Sequence, residues 1–284
     1  MRLVALSCLT MIAFASNSIL NRVGVASGGM DAVSFGIVRL VAGAVMLALL
    51  VLLRNGGLRL GGPTRWLGVG ALLVYTFGFS LAYDSLDAGL GALILFGMVQ
   101  ITMFAGALVG GERPGLQRWI GASLAFGGLV WLLWPGQSAA PSLSHALSMA
   151  AAGVAWGVYS LNGRGGSDPL GDTAANFILA AAGAGLFAAI SVLLPTSSGI
   201  PEATVSGLLI AILCGAVTSG LGYALWYTVL PDLRSTTAAV LQLTVPVIAM
   251  VGGVLLLSET VGVRLMIAAC FVLGGVLLAV TSRR

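Results

Sequence analysis

Tyr75, Phe79 and Tyr83 recur every four residues within one apolar segment, a spacing that lines a single face of a helix. Tyr223 and Tyr227 stand 144 residues beyond Phe79 and Tyr83. Two further pairs, each spaced three apart, lie deep in apolar runs: Phe14 with Asn17 and, 142 residues on, Trp156 with Tyr159. Phe96 and Gln100 share a helical face, and Gln242 precedes Pro246 by four, so the Gln242 carbonyl loses its usual N–H partner and offers a polar notch. This set stacks on flat apolar groups and hydrogen-bonds polar ones. An amide or phenol facing hydrocarbon costs up to about several kcal/mol, so these groups should face protein or water. The competing readings are an interfacial aromatic belt, helix–helix hydrogen bonding and a simple packing kink. Trp66, Trp119, Trp131 and Trp134, at the ends of apolar runs, read as belt residues.

Covalent chemistry finds little support. His145 is the only histidine, and neither an HExxH pattern nor a nucleophile-elbow serine is present. A Walker A loop needs a lysine, which the chain lacks altogether, so it cannot drive transport with ATP by itself. Cys8, Cys214 and Cys270 are too scattered for metal-ligand spacing and read as small core residues. No cofactor or metal is expected, and the chain is not read as an enzyme. The nine acids fall at the ends of apolar runs or between them, none placed as a midplane proton carrier. Glu112 and Glu259 each precede an apolar run, where a carboxylate suits the N-terminus of the following helix. Arg39 is the lone charge inside a run; snorkelling or pairing is the ordinary reading, and binding a substrate carboxylate the sharper one.

The elements that must position these groups follow from composition. Hydrophobic residues make up 58% of the 284 and charged ones 8%, too few to clothe a water-soluble domain. The lipid bilayer is therefore the expected surround, and a net charge of +4 carried by arginine speaks of topology rather than of nucleic acid. Ten runs reach the length a membrane-spanning helix needs: 3–21, 32–53, 65–84, 88–110, 116–134, 143–161, 170–194, 203–229, 235–257 and 262–281. With the N-terminus inside, ten arginines (2, 54, 59, 65, 113, 118, 164, 234, 283 and 284) lie on the inner side, against Arg22 and Arg264 outside. That bias predicts both termini in the cytoplasm. Connections are short and rich in turn formers such as Asn55-Gly56-Gly57, Pro135-Gly136 and Pro195.

The chain also repeats itself. GGERPGLQRWIGASLAFGGLVWLL at 110–133 falls on LSETVGVRLMIAACFVLGGVLLAV at 257–280, placing Glu112 on Glu259 and Gly127-Gly128 on Gly274-Gly275. FASNSILNR at 14–22 falls on WGVYSLNGR at 156–164, and LAYDSL at 81–86 on LWYTVL at 225–230. Residues 1–136 and 137–284 are thus two five-helix repeats of one transmembrane domain. Five crossings being odd, the second copy runs inverted, an arrangement that lets two halves rock about a central site.

The ten helices, the two halves, and a Glu closing the fourth and ninth helices before an apolar run with Gly-Gly resemble the EamA-type members of the drug/metabolite transporter superfamily. The YddG-like branch, which exports aromatic amino acids, is similar in length and aromatic lining. The resemblance implies an all-α exporter of the bacterial inner membrane. Members often carry Pro in both the fourth and ninth helices, whereas here Val99 stands opposite Pro246.

The expected function is secondary export of a small amphipathic molecule by alternating access, aromatic and apolar amino acids first. Phe79, Trp156, Tyr159 and Tyr223 stack on the solute and Asn17, Gln100 and Gln242 hydrogen-bond it. Tyr83 and Tyr227 stand at opposite mouths. With no buried acid, the site suits a neutral or zwitterionic solute. Cationic or lipophilic drugs are the alternative substrates, and a sensor or scaffold the alternative class. The sequence leaves the oligomeric state open, a monomer sufficing.

Overall fold

A chain this apolar satisfies its backbone polar groups within helices, because hydrocarbon offers them no partner. The computed structural model describes residues 2–27, 29–55, 57–134, 141–163, 168–193, 203–233 and 235–281. Twelve α-helices occur there: α1 (Arg2–Arg22), α2 (Ala32–Asn55), α3 (Arg65–Ala82), α4 (Ala88–Val109), α5 (Leu116–Leu133), α6 (Leu143–Asn162), α7 (Pro169–Leu193), α8 (Val205–Leu213), α9 (Gly222–Val229), α10 (Ser235–Gln242), α11 (Thr244–Leu257) and α12 (Val263–Val280). Among the described residues, nine helical segments are long and apolar enough to cross a membrane. The tenth expected span is present as α6, a 20-residue helix whose serines, His145 and Asn162 make it less apolar.

Two expected spans differ from continuous α-helices. The run 203–229 is α8 and α9 joined by a π-helical stretch, Cys214–Leu221. The run 235–257 breaks at Leu243, whose N–H turns back to Val240 O, and α11 restarts with Pro246 in its first turn. A proline there lacks an N–H that needs no intrahelical partner, so the expected kink becomes a clean restart. Gly56, Pro135, Gly136, Arg164, Pro195, Glu202, Arg234, Arg283 and Arg284, several of which carried the topology argument, lie outside the described residues, as does the expected boundary between the repeats.

Packing follows a regular scheme. α5 lies on α12, α2 on α7, and α4 on α11. α3 and α4 both pack on α6, as α9 and α11 both pack on α1. α2 also packs on the π stretch, as α7 packs on α3. With α8–α9 and α10–α11 each taken as one span, every contact in this scheme maps onto another, or onto itself, when spans five places apart are exchanged. At the α5–α12 seam a Cβ on Gly275 would come 2.6 Å from the Gly121 carbonyl oxygen, so only glycine lets the backbones approach this closely.

The periphery is apolar: Trp66, Trp119 and Trp134 are exposed at helix ends, as belt residues should be. Of the cysteines only Cys214 is buried; Cys8 and Cys270 are exposed, which corrects the expectation of three core residues.

Candidate substrate path and buried arginine

α1, α2, α3 and the π stretch meet at Arg39. Its side chain is 1% exposed. Nε donates to Ser219 Oγ at 3.2 Å and Nη2 to Tyr75 Oη at 3.1 Å. The guanidinium lies 4.9 Å from the Phe79 ring centre and 5.2 Å from that of Tyr75, within cation–π range. Nη1 has no hydrogen-bond partner among the described residues, and no ion pair among them includes Arg39. The expectation that Arg39 snorkels or pairs is therefore overturned. A buried charge left to neutral partners costs about several kcal/mol.

The π stretch explains how a polar cluster fits here. Extra residues per turn widen a helix and are common where function requires it. Cys214, Thr218 and Ser219 all reach the cluster: Cys214 Sγ donates to Asn17 Oδ1 at 3.0 Å, and Thr218 Oγ1, which donates to the Cys214 carbonyl at 2.7 Å, lies 3.2 Å from the same Asn17 oxygen. Asn17 Nδ2 then donates to Tyr75 Oη at 3.2 Å. Asn21 Nδ2 donates to Cys214 Sγ at 3.4 Å, and Ser80 Oγ to Asn21 Oδ1 at 2.9 Å. A Cβ on Gly215 would collide with the Arg39 carbonyl oxygen, so this glycine lets α2 press against the stretch.

An aromatic chain leads away from the arginine. Tyr75 lies 5.4 Å from Phe79 and 4.8 Å from Trp156, which stacks on Tyr159 at 5.4 Å with 17° between the planes. Tyr223 lies 5.1 Å from Trp156 and contacts Phe14 and Phe177, each at 5.8 Å. Its buried hydroxyl closes no hydrogen bond.

Beyond Tyr159 the protein opens. A cavity of about 360 Å³ is lined by Tyr159, Tyr227, Arg65, Asp172, Thr173 and Asn176, among others. Asn176 Nδ2 donates to Tyr159 Oη at 3.2 Å and thereby orients its ring. Arg65 holds the wall: Nη2 pairs with Asp172 Oδ1 at 2.7 Å, and Nη1 donates to Asn176 Oδ1 at 3.0 Å.

At the opposite end the aromatic path is closed at Tyr83, with a surface cleft of about 400 Å³ beside it among Asp31, Leu81, Asp84, Ser144, His145 and Ser148. Tyr83 is fully buried, packs edge-on against Phe79 at 4.8 Å and donates to Ala88 O. Arg22 Nη1 donates to the carbonyls of Tyr83 and Asp84, while Nε lies 3.5 Å from Glu259 Oε1. Glu259 does not cap the helix that follows it. Gly262 begins α12 without a side-chain cap, and both Glu259 oxygens accept from Ala88 N at 3.1 and 3.0 Å, capping α4 instead. Ser258, in the left-handed region at φ 57°, turns the chain back to allow this. Burial pushes the Glu259 carboxyl above the usual range, with Asp87 adding to it, against the Ala88 N–H and Arg22, which hold it down. Glu112, its repeat counterpart, pairs on the surface with Arg118 at 3.1 Å, and Gly115 starts α5 uncapped.

Of the residues singled out from sequence, the structure joins Phe14, Asn17, Tyr75, Phe79, Tyr83, Trp156, Tyr159 and Tyr223 into one network, with Tyr227 in the cavity beyond. Phe96 is buried in the core but makes no ring contact with this network. Gln100 and Gln242 are half-buried and make no side-chain hydrogen bond to another described residue, and Pro246 is buried in the first turn of α11. Sequence reasoning missed Asn21, Ser80, Phe177, Cys214, Thr218 and Ser219. One signal was present: the shift that pairs Phe79 with Tyr223 also pairs Tyr75 with Ser219, the two hydrogen-bond acceptors of Arg39.

Apolar helices of spanning length packed around a polar and aromatic centre define a multi-pass helical membrane protein. The model of the EamA-like transporter family matches residues 1–134 and 143–281, so the chain belongs to that family of membrane transporters. It is 48% identical to the uncharacterized protein PA1977 of Pseudomonas aeruginosa, over 99% of this chain and 96% of the relative. A solved crystal structure, 20% identical, shares the fold with a TM-score of 0.66 over 98% of this chain and 96% of the other.

Proposed function

We propose that this transporter is a secondary carrier that exports small amphipathic metabolites, aromatic and other apolar amino acids foremost, by alternating access of two inverted five-helix repeats. The observation that carries the reading is the unbroken aromatic path from an open cavity at Tyr159 and Tyr227 to a polar centre at Asn17 and Arg39, with the far end closed by Tyr83. One end open and one shut is the geometry alternating access requires. The exchange symmetry of the packing supports two similar halves, and the arginine bias favours an open end facing the cytoplasm. Stacking on Trp156 and Tyr159 selects a flat or apolar side chain.

Cationic drugs fit less well. Arg39 is a fixed positive charge at the inner end of the path, and among the described residues no acid pairs with it. Counterflow in proteoliposomes tests the reading: vesicles preloaded with unlabelled phenylalanine or leucine should accumulate the labelled compound, and lysine-loaded vesicles should not. Equal exchange of lysine, or none with any amino acid, would sink it.

A further inference from the structure

We infer that Arg39 is an anion-binding site and that the carrier's substrate is an aromatic or apolar carboxylate, with the carboxylate rather than an amino group as its required handle. The inference rests on the transport reading above and adds the chemistry of the ligand.

The argument is a count of donors and acceptors. Arg39 Nη1 is buried and has no hydrogen-bond partner among the described residues, and the same holds of the Tyr223 hydroxyl, whose ring packs on Trp156 as that of Tyr75 does. Tyr75 Oη accepts from both Arg39 Nη2 and Asn17 Nδ2, so its lone pairs are taken and its own proton needs an acceptor. Asn17 Oδ1 accepts from Cys214, Asn21 Oδ1 from Ser80 and Ser219 Oγ from Arg39, so the Tyr223 hydroxyl oxygen is what the cluster leaves for the Tyr75 proton, and Nη1 still has no acceptor among the described residues. A buried guanidinium with a free N–H and no ion pair among the described residues is short of one anion. A carboxylate has two oxygens and no proton to place. An ammonium group would bring only donors, and it would stand next to a like charge.

The surroundings specify the rest of the molecule. Trp156 lies against both Tyr75 and Tyr223 and stacks on Tyr159 at the cavity wall, so a ligand reaching Arg39 from the cavity passes along its ring. Phe14 and Phe177 flank Tyr223. The site thus has a charged end for an anion and aromatic walls for an apolar tail.

Two sources of anion meet this chemistry, a substrate carboxylate and an inorganic ion such as chloride, and binding to the purified full-length protein separates them. Probes are 3-phenylpropionate, L-phenylalanine, phenethylamine, acetate and chloride, read by quenching of Trp156 fluorescence against a Trp156→Phe control and by thermal shift. The expected result is that 3-phenylpropionate and L-phenylalanine bind, phenethylamine does not, and acetate and chloride bind at least tenfold more weakly. Arg39→Gln should weaken the two aromatic carboxylates at least tenfold, and Tyr223→Phe severalfold. Arg39→Lys, which keeps a point charge but loses the fork, should fall between. Arg39→Gln should also melt no lower than the ligand-free wild type, since it removes an unpaired buried charge. A structural arginine would instead lower the melting temperature and leave probe selectivity unchanged. Phenethylamine binding as well as 3-phenylpropionate, chloride binding as tightly as the carboxylates, or Arg39→Gln retaining wild-type affinity would each overturn the assignment. Arg39-dependent binding without counterflow would refute the carrier and leave the site. Counterflow of amino acids unaffected by Arg39→Gln would refute the site and leave the carrier.

Discussion

Glu259 closes the shut end with two interactions of unequal weight, and two substitutions separate them. Its ion pair with Arg22 spans 3.5 Å, with the Arg22 side chain 21% exposed; pairs of this kind contribute about 0–1 kcal/mol. Both of its oxygens also accept from the N–H of Ala88, a fully buried residue at the start of α4 that Asp87 leaves uncapped. A buried N–H without an acceptor costs about 1–3 kcal/mol, and loss of a negative cap at a helix N-terminus about 0.3–1 kcal/mol more. Burial holds the carboxyl above its usual range, so the charged form gains less from Arg22 and Ala88 than burial and Asp87 cost it.

Glu259→Gln, which keeps one acceptor oxygen and discards the charge, should therefore leave the end shut. Glu259→Ala should open it by about 2 kcal/mol, a shift in population of roughly 30-fold. Cys214 is a native reporter: it is buried beside Asn21, one residue from Arg22, whereas Cys8 and Cys270 are exposed and can be replaced by serine. Alkylation of Cys214 in detergent-solubilised protein should accelerate roughly in proportion in Glu259→Ala and hardly at all in Glu259→Gln. Glu112→Ala, on the opposite end with only a surface partner, is the control and should leave the rate unchanged. If Gln opens the end as far as Ala does, the ion pair with Arg22 carries the closure and the Ala88 N–H does not.

The same residue makes closure depend on pH. A carboxyl whose value is raised in the closed state contributes stability that is fully present below its ordinary value and is lost as pH rises through the closed-state value. Cys214 alkylation, normalised to the unfolded protein, should rise with pH above about 4.5 in wild type and stay flat in Glu259→Gln; parallel profiles would contradict this. At the open end Arg65→Gln removes hydrogen bonds to Asp172, Asn176 and the carbonyls of Leu60 and Gly61, a buried network tying α3 to α7. The half-exposed Asp172 can resolvate, so the net loss is about 2–3 kcal/mol and the expected drop in melting temperature roughly 5–10 °C. A change below about 2 °C would show that the network does not brace the cavity wall.

The helices were legible in the sequence because hydrocarbon leaves a spanning chain little alternative, and runs of about 20 apolar residues announce themselves. The aromatic faces were legible for a related reason: Tyr75, Phe79 and Tyr83 fall on one side of α3 by spacing alone, and that side faces the protein. The π stretch was not. It depends on how Cys214, Thr218 and Ser219 meet α1 and α2, a tertiary matter that no local propensity records. Glu259 was misplaced for the same kind of reason. Its position before an apolar run matches a local cap, but the left-handed turn at Ser258 carries it to a helix distant in the chain. Arg39 was visible as an oddity, yet its weight comes from what is missing around it, and an absent counter-ion is a property of three dimensions.

The arginine also breaks the symmetry of its scaffold in a way that follows from its task. α2 and α7 pack together as exchange partners, yet α7 carries no basic residue to match the Arg39 of α2. Two similar halves suffice to make two mouths of similar construction. They do not suffice to orient a ligand, because a site with equivalent sides would hold an amphipathic molecule equally well in either direction. For the proposed carrier a single charge on α2 would remove that degeneracy: the anion would lie toward α2 and the π stretch, and the apolar tail toward Trp156 and Tyr159, whichever mouth is open.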